Sequence, residues 1–126
     1  MATAIGVEVK TVLHRKDNNW LPDLDELESK ISSKTRLITI CHPNNPTGAV
    51  LDREEMQRLV DIAAKHDVYL HADEVYKDAE LVGEEPASFA DLYDKSIVTS
   101  GLSKAMALPG LRVGWLVGQA QDIYAA

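Results

Sequence analysis

Asp52-Arg-Glu-Glu-Met-Gln-Arg-Leu-Val-Asp-Ile-Ala-Ala-Lys-His-Asp-Val-Tyr-Leu-His-Ala-Asp73 runs from a helix start to a strand end with almost no linker. Asp52 as N-cap and Glu55 three places on make a capping box, each satisfying an amide the other leaves open. Met56, Leu59, Val60, Ala63 and Ala64 then fall on one stripe, which predicts an amphipathic helix ending near His66 or Asp67. Val68 to Asp73 follows as a strand. Upstream, Arg36 to Cys41 is a β-branched, largely apolar run, of the kind that suits a parallel strand covered on both faces. Before it, Leu21 to Ile31 places Leu24, Leu27 and Ile31 on one face of a short helix with acids in its first turn. Val7 to Leu13 alternates apolar and charged residues and reads as a strand, with Gly6 at the C′ position of a last helical turn over Ala2 to Ile5. Downstream, Gly83 to Asp94 is loop with one helical turn at Ser88 to Leu92. Lys95 to Ser100 and Leu111 to Val117 read as strands, and Gln119 to Ala126 as the start of a helix. Strands alternating with helices predict an α/β fold: three layers, a mainly parallel sheet with flanking helices and right-handed crossovers.

The bulk properties narrow the function classes. The chain has 126 residues, 45% hydrophobic and 26% charged, enough for one core. No apolar run is long enough to cross a bilayer, so no membrane role is expected. Thirteen basic residues are scattered among twenty acidic ones for a net charge of −7, which repels a nucleic-acid backbone. Cys41 is the single cysteine, so no intrachain disulfide forms and a reducing compartment fits; with no basic and apolar leader at the start, the expected location is cytoplasmic. His14, His42, His66 and His71 form no metal-ligand spacing, and no metal is expected. Both ends read as cutting through helices, so the chain is expected to be a piece of a larger fold.

Three motifs follow predicted strands: Pro43-Asn-Asn-Pro-Thr-Gly48, Asp73-Glu-Val-Tyr76, and Ser100-Gly-Leu-Ser-Lys-Ala-Met-Ala-Leu-Pro-Gly-Leu-Arg-Val-Gly-Trp115. Ligands of α/β sheets gather at the carboxyl ends of strands, where such loops supply polar groups. Singly the residues read blandly: Lys104 as a solvated lysine, Arg112 as a surface ion pair, Asp73 as a loop cap, Tyr76 as a half-buried aromatic, Asn45 as a turn residue. In this order the motifs resemble the pyridoxal 5′-phosphate (PLP) pocket of the fold type I aminotransferases, class I/II, in the aspartate aminotransferase superfamily.

That resemblance implies roles. Lys104 matches the Schiff-base lysine that holds the cofactor aldehyde and then moves a proton as general acid and base. Asp73 matches the aspartate that keeps the pyridine nitrogen protonated, and Tyr76 and Asn45 match the donors to the ring oxygen. Arg112, with Ser103 and Ser100, matches the phosphate-binding set. Many members carry Ser or Thr three places before the lysine, where this chain has Gly101. The Asn45-Pro46 peptide is expected to be cis, and the last strand antiparallel. Glu74 reads as solvent-facing or structural, His71, on Asp73's face, as a core or edge histidine or else as a contact supporting the Asp73 site, and Trp20, Tyr69 and Trp115 as packing.

The resemblance places residues 1–126 in a partial large, PLP-binding domain truncated at both ends, with the small domain absent. It implies amino-group transfer between an amino acid and a 2-oxo acid, in a homodimer. Three alternatives stay open: a PLP lyase or decarboxylase on the same scaffold, a noncatalytic fragment that self-associates, and an interaction module that kept the motifs.

Overall fold

The structure is a computed structural model that describes residues 2–81, 83 and 85–124. Glu84 in the expected loop, and Ala125 and Ala126 at the end of the expected last helix, lie outside the described residues. Four strands form one sheet in the order β1 (Leu37–Cys41), β2 (Tyr69–Asp73), β3 (Ser96–Gly101) and β4 (Gly114–Val117). The first three are parallel and β4 returns antiparallel to β3, as the resemblance implied.

The helices are α1 (Leu24–Ser29), α2 (Arg53–Lys65) and α3 (Ala120–Ile123). The capping box of α2 forms as expected, with Asp52 Oδ1 accepting from Glu55 N at 2.8 Å and Glu55 Oε2 accepting from Asp52 N at 2.9 Å. His66 ends the helix and Asp67 turns the chain with φ 54. The buried side of α2 consists of Met56, Leu59, Val60, Ile62 and Ala63, whereas Ala64 is exposed. Ile62 was absent from the predicted stripe and Ala64 was wrongly in it, so the buried face of α2 is turned toward Ile62.

Strand alternation assigns the two faces of the sheet. Ile38, Leu70, Ala72, Ser96 and Val98 are buried with α2, Leu24 and Phe89. Thr39, Cys41, His71, Asp73, Ile97 and Thr99 lie on the opposite face and keep contact with solvent. There, α3 is tied to the sheet by Tyr69, whose hydroxyl donates to Asp122 Oδ1 at 2.9 Å. Among the described residues no helix is long and apolar enough to cross a membrane.

Several expectations change. Val7 to Leu13 is not a strand: it has no regular secondary structure and, among the described residues, no ladder partner, with an isolated bridge between His14 and Pro22 just beyond it. Two lysines hold it instead, Lys10 Nζ donating to Lys30 O at 2.9 Å and Lys30 Nζ to Thr11 O at 2.5 Å. Alternation supplies the pattern of a strand, but a strand also needs a neighbour. The strand expected from Leu111 starts at Gly114, because Pro109–Leu111 forms a 3-10 turn that Arg112 ends at φ 52. Trp20 and Trp115, expected to pack, are 41% and 44% exposed. Glu74 is 3% exposed, which removes the solvent-facing reading, and its Oε1 accepts from Phe89 N at 2.9 Å.

Candidate active site

The carboxyl ends of β1, β2 and β3 lie side by side, and each is followed by one of the three motifs. After β1, both proline peptides are cis, Asn45-Pro46 as expected and His42-Pro43 in addition. Gly48 N donates to Asn44 O at 2.7 Å and Asn44 N to Ala49 O at 2.9 Å, which closes the turn and projects Asn45 outward. The buried His42 ring anchors the turn from below: Leu51 N donates to its Nε2 at 3.0 Å, and the ring meets Phe89 edge-on at 5.6 Å.

Burial holds the His42 imidazole below its usual pKa, with the charge of Glu80 acting in the opposite direction. The bond from Leu51 requires an unprotonated Nε2. The unfolded chain therefore binds the proton more readily, and the stability His42 contributes is complete above about pH 6.5 and falls as the pH drops below that value. A urea midpoint that declines between about pH 6.5 and 5, with a shallower decline in His42→Gln, is the expected result. Equal slopes in the two proteins would refute the assignment to His42.

Asn45, Tyr76 and Lys104 come together although 59 positions separate the first from the last. Asn45 Nδ2 donates to Tyr76 Oη at 2.9 Å, and Lys104 Nζ stands over the same phenol ring, 5.8 Å from its centroid. The phenol oxygen accepts from the amide, so its own proton is free to be donated to an incoming oxygen. A cleft of about 440 Å³ opens beside the pair, lined in part by Pro43, Pro46, Val50 and Leu81.

Asp73 ends β2, with Cys41 and Thr99 as its register partners on either side. Its Oδ1 accepts from Val75 N at 3.2 Å, and among the described residues it forms no ion pair. Burial raises the Cys41 thiol, and the Asp73 carboxylate raises it further, against a backbone contact from Asn45. The thiol is therefore protonated and brings no charge to the row. Asp73 is thus a carboxylate at a strand end that lacks a cationic partner within the described chain.

The phosphate set is arranged less uniformly. Ser100 Oγ donates to Glu74 O at 3.2 Å, so its proton is already committed. Ser103 is half-buried on the loop before Lys104. Arg112 is exposed, and its Nη1 donates to Pro109 O at 3.3 Å within its own loop. Gly101 departs from the Ser or Thr pattern for a steric reason. A Cβ there would stand 2.9 Å from Val113 O and 3.1 Å from Gly114 Cα, where β4 approaches β3.

Two features were not legible in the sequence. Glu74 fastens Phe89 and its loop over the strand ends. His71 bridges Thr39 and Thr99 across the open face, where it is neither a core nor an edge histidine. All three bridge positions alternate in phase with Asp73, but strand register is needed to see them meet.

A mixed sheet with flanking helices and these motifs at its strand ends is the architecture of part of a fold type I aminotransferase domain. The family described as aminotransferase class I and II matches residues 1–126, and the chain belongs to it. Glutamate-pyruvate aminotransferase AlaA of Haemophilus influenzae is 38% identical over 117 residues, covering 91% of this chain and 29% of that protein. Aspartate aminotransferase of Pyrococcus horikoshii is 38% identical over 112 residues, covering 86% and 28%. A solved PLP-dependent aminotransferase from Streptococcus suis superposes with a TM-score of 0.88 at 39% identity, over 94% of this chain and 31% of that one. The chain spans under a third of the length of these relatives.

Proposed function

We propose that this chain is the lysine-bearing part of the PLP-binding domain of an aminotransferase that moves an amino group from an amino acid to a 2-oxo acid. The observation that carries the reading is the convergence of Asn45, Tyr76 and Lys104 at the strand ends, beside the unpaired carboxylate of Asp73. The donor chemistry fits the cofactor: an amine for its aldehyde, two donors for its ring oxygen, and a carboxylate for its ring nitrogen. When bound, PLP supplies the electron sink that the side chains lack.

The chain's own residues have the remaining tasks. Lys104 would supply the amine that holds the cofactor aldehyde, and that amine, once the substrate's own amine takes its place, would carry the proton of the substrate Cα. Tyr76 and Asn45 share the charge of the ring oxygen. Asp73 would hold the pyridine nitrogen in its protonated form. Arg112 and Ser103 serve the phosphate once the Arg112 guanidinium leaves its own loop. Glutamate, pyruvate and aspartate are the amino-acid and oxo-acid partners that the names of the relatives suggest. A homodimer and cytoplasmic residence belong to the same reading, supported by the single cysteine and by the exposed apolar strand β4, where Trp115, Leu116 and Val117 face outward.

Mixing the chain with PLP, reducing with borohydride and mapping peptides by mass tests this directly. The expected result is a pyridoxyl group on Lys104. Unmodified Lys104, in a sample that scatters light as a multimer, would instead support the noncatalytic, self-associating reading.

A further inference from the structure

The face of the sheet opposite α2 carries a row of three polar side chains just before Asp73. Thr39 Oγ1 of β1 lies 2.8 Å from His71 Nδ1, and Nε2 of the same ring lies 3.1 Å from Thr99 Oγ1 of β3. Both ring nitrogens are therefore held, and by different strands. His71 and Asp73 share a face, about 6.6 Å apart along β2. Thr99, which holds Nε2, is also the residue registered against Asp73.

We infer that His71 is a positioning residue for Asp73, acting through Thr99, in the cofactor site proposed above, on which the inference rests. A neutral imidazole has one donor and one acceptor, and a hydroxyl serves as either. The row is therefore satisfied without a charge when Thr39 donates to Nδ1 and Nε2–H donates to Thr99. Thr99 then accepts from the ring and turns its own proton to the next acceptor. The register partner of Thr99 is Asp73, and the positioning role requires that this proton be given to the Asp73 carboxylate. Its other register partner is Cys41, whose thiol donates to Pro43 O at 3.4 Å, so the hydroxyl of Thr99 is the orienting group on the β3 side. A hydroxyl donating to a carboxylate favours its charged form and fixes its plane. A charged, fixed Asp73 is what keeps a pyridine nitrogen protonated. An aliphatic or aromatic residue at position 71 would fill the same space on the face while leaving Thr99 free to rotate away.

The experiment uses the full chain with PLP labelled with ¹⁵N at the pyridine nitrogen. The ¹⁵N shift reports protonation of the ring, and an absorbance titration gives the PLP dissociation constant. In His71→Phe the signal should move toward the unprotonated value and PLP should bind about tenfold more weakly, the upper end of one hydrogen bond's net contribution. Thr99→Val should reproduce both changes, and it carries the test alone if His71→Phe does not fold. His71→Gln, which keeps one donor and one acceptor, should stay within about twofold of the natural protein. A folded His71→Phe or Thr99→Val with the natural shift and affinity overturns the inference, as does a folded His71→Gln that behaves like His71→Phe. A natural chain that takes up no PLP overturns the cofactor reading and this inference with it, whereas one that binds PLP with indifferent variants overturns this inference alone.

Discussion

Lys104→Ala is expected to lower amino-transfer kcat/KM by at least about a thousandfold while shifting folding stability by less than about 1 kcal/mol. The two halves of this expectation have different origins. Lys104 is exposed, and its recorded contact is the face of the Tyr76 ring at 5.8 Å, an interaction worth roughly 0.5–1 kcal/mol at an exposed site. Little of the fold depends on it. The chemistry depends on it twice, because one amine both holds the cofactor and carries the proton. Lys104→Arg separates charge from nucleophilicity, since guanidinium keeps the positive charge over Tyr76 but is not deprotonated in proteins. It should be as inactive as alanine. Steady-state rates in the full chain with an amino acid and a 2-oxo acid, alongside urea melts, give both numbers. An arginine variant within tenfold of the natural rate would mean that Lys104 serves as a charge only.

The parts of the molecule that were legible in the sequence are those decided within a few residues. The α2 capping box needs only Asp52 and Glu55, and the three parallel strands needed only short, largely apolar runs between turn signals. The nearness of Asn45, Tyr76 and Lys104 was legible at one remove, because each follows a strand of one sheet and strand ends in such sheets converge. What stayed hidden depended on partners far away in the chain. Val7 to Leu13 has a strand's alternation and no strand beside it. Glu74 read as solvent-facing or structural, and only Phe89 N placed against it decides for the structural role. The Thr39–His71–Thr99 row is a matter of register, which no local pattern encodes. The phosphate set lies between these cases: Arg112 is where the motif puts it in sequence, but the left-handed residue that ends a 3-10 turn directs its guanidinium to Pro109.

Phe89→Ala is expected to cost about 3–5 kcal/mol, the largest stability loss of any change considered. Phe89 is 0% exposed and heads the largest fully buried side chains. It does not belong to a regular helix or strand; it opens the 3-10 turn Phe89–Asp91, capped by Ser88. Three independent contacts converge on it. The ring joins the core formed by α2 and the covered face of the sheet. It packs against the His42 ring in a T-shaped arrangement beneath the Asn45 turn. Its backbone amide is the partner of the buried Glu74 carboxylate, whose pKa burial raises while the Phe89 amide, and then Ser88, lower it. Alanine keeps the amide, its bond to Glu74 and the Ser88 cap but removes the ring, so the turn stands over a cavity. Against a typical domain stability of about 5–15 kcal/mol, a loss of this size would leave a large fraction of the chain unfolded at physiological temperature. Phe89→Leu, which retains most of the apolar volume, should cost only about 1–2 kcal/mol. Urea denaturation followed by circular dichroism measures both. The two variants should also differ at the candidate site, because the His42 ring that anchors the Asn45 turn loses its neighbour in one and keeps an apolar contact in the other. A cost below about 1 kcal/mol for alanine would mean that the surrounding chain collapses into the space, and that this loop is a cover rather than part of the core.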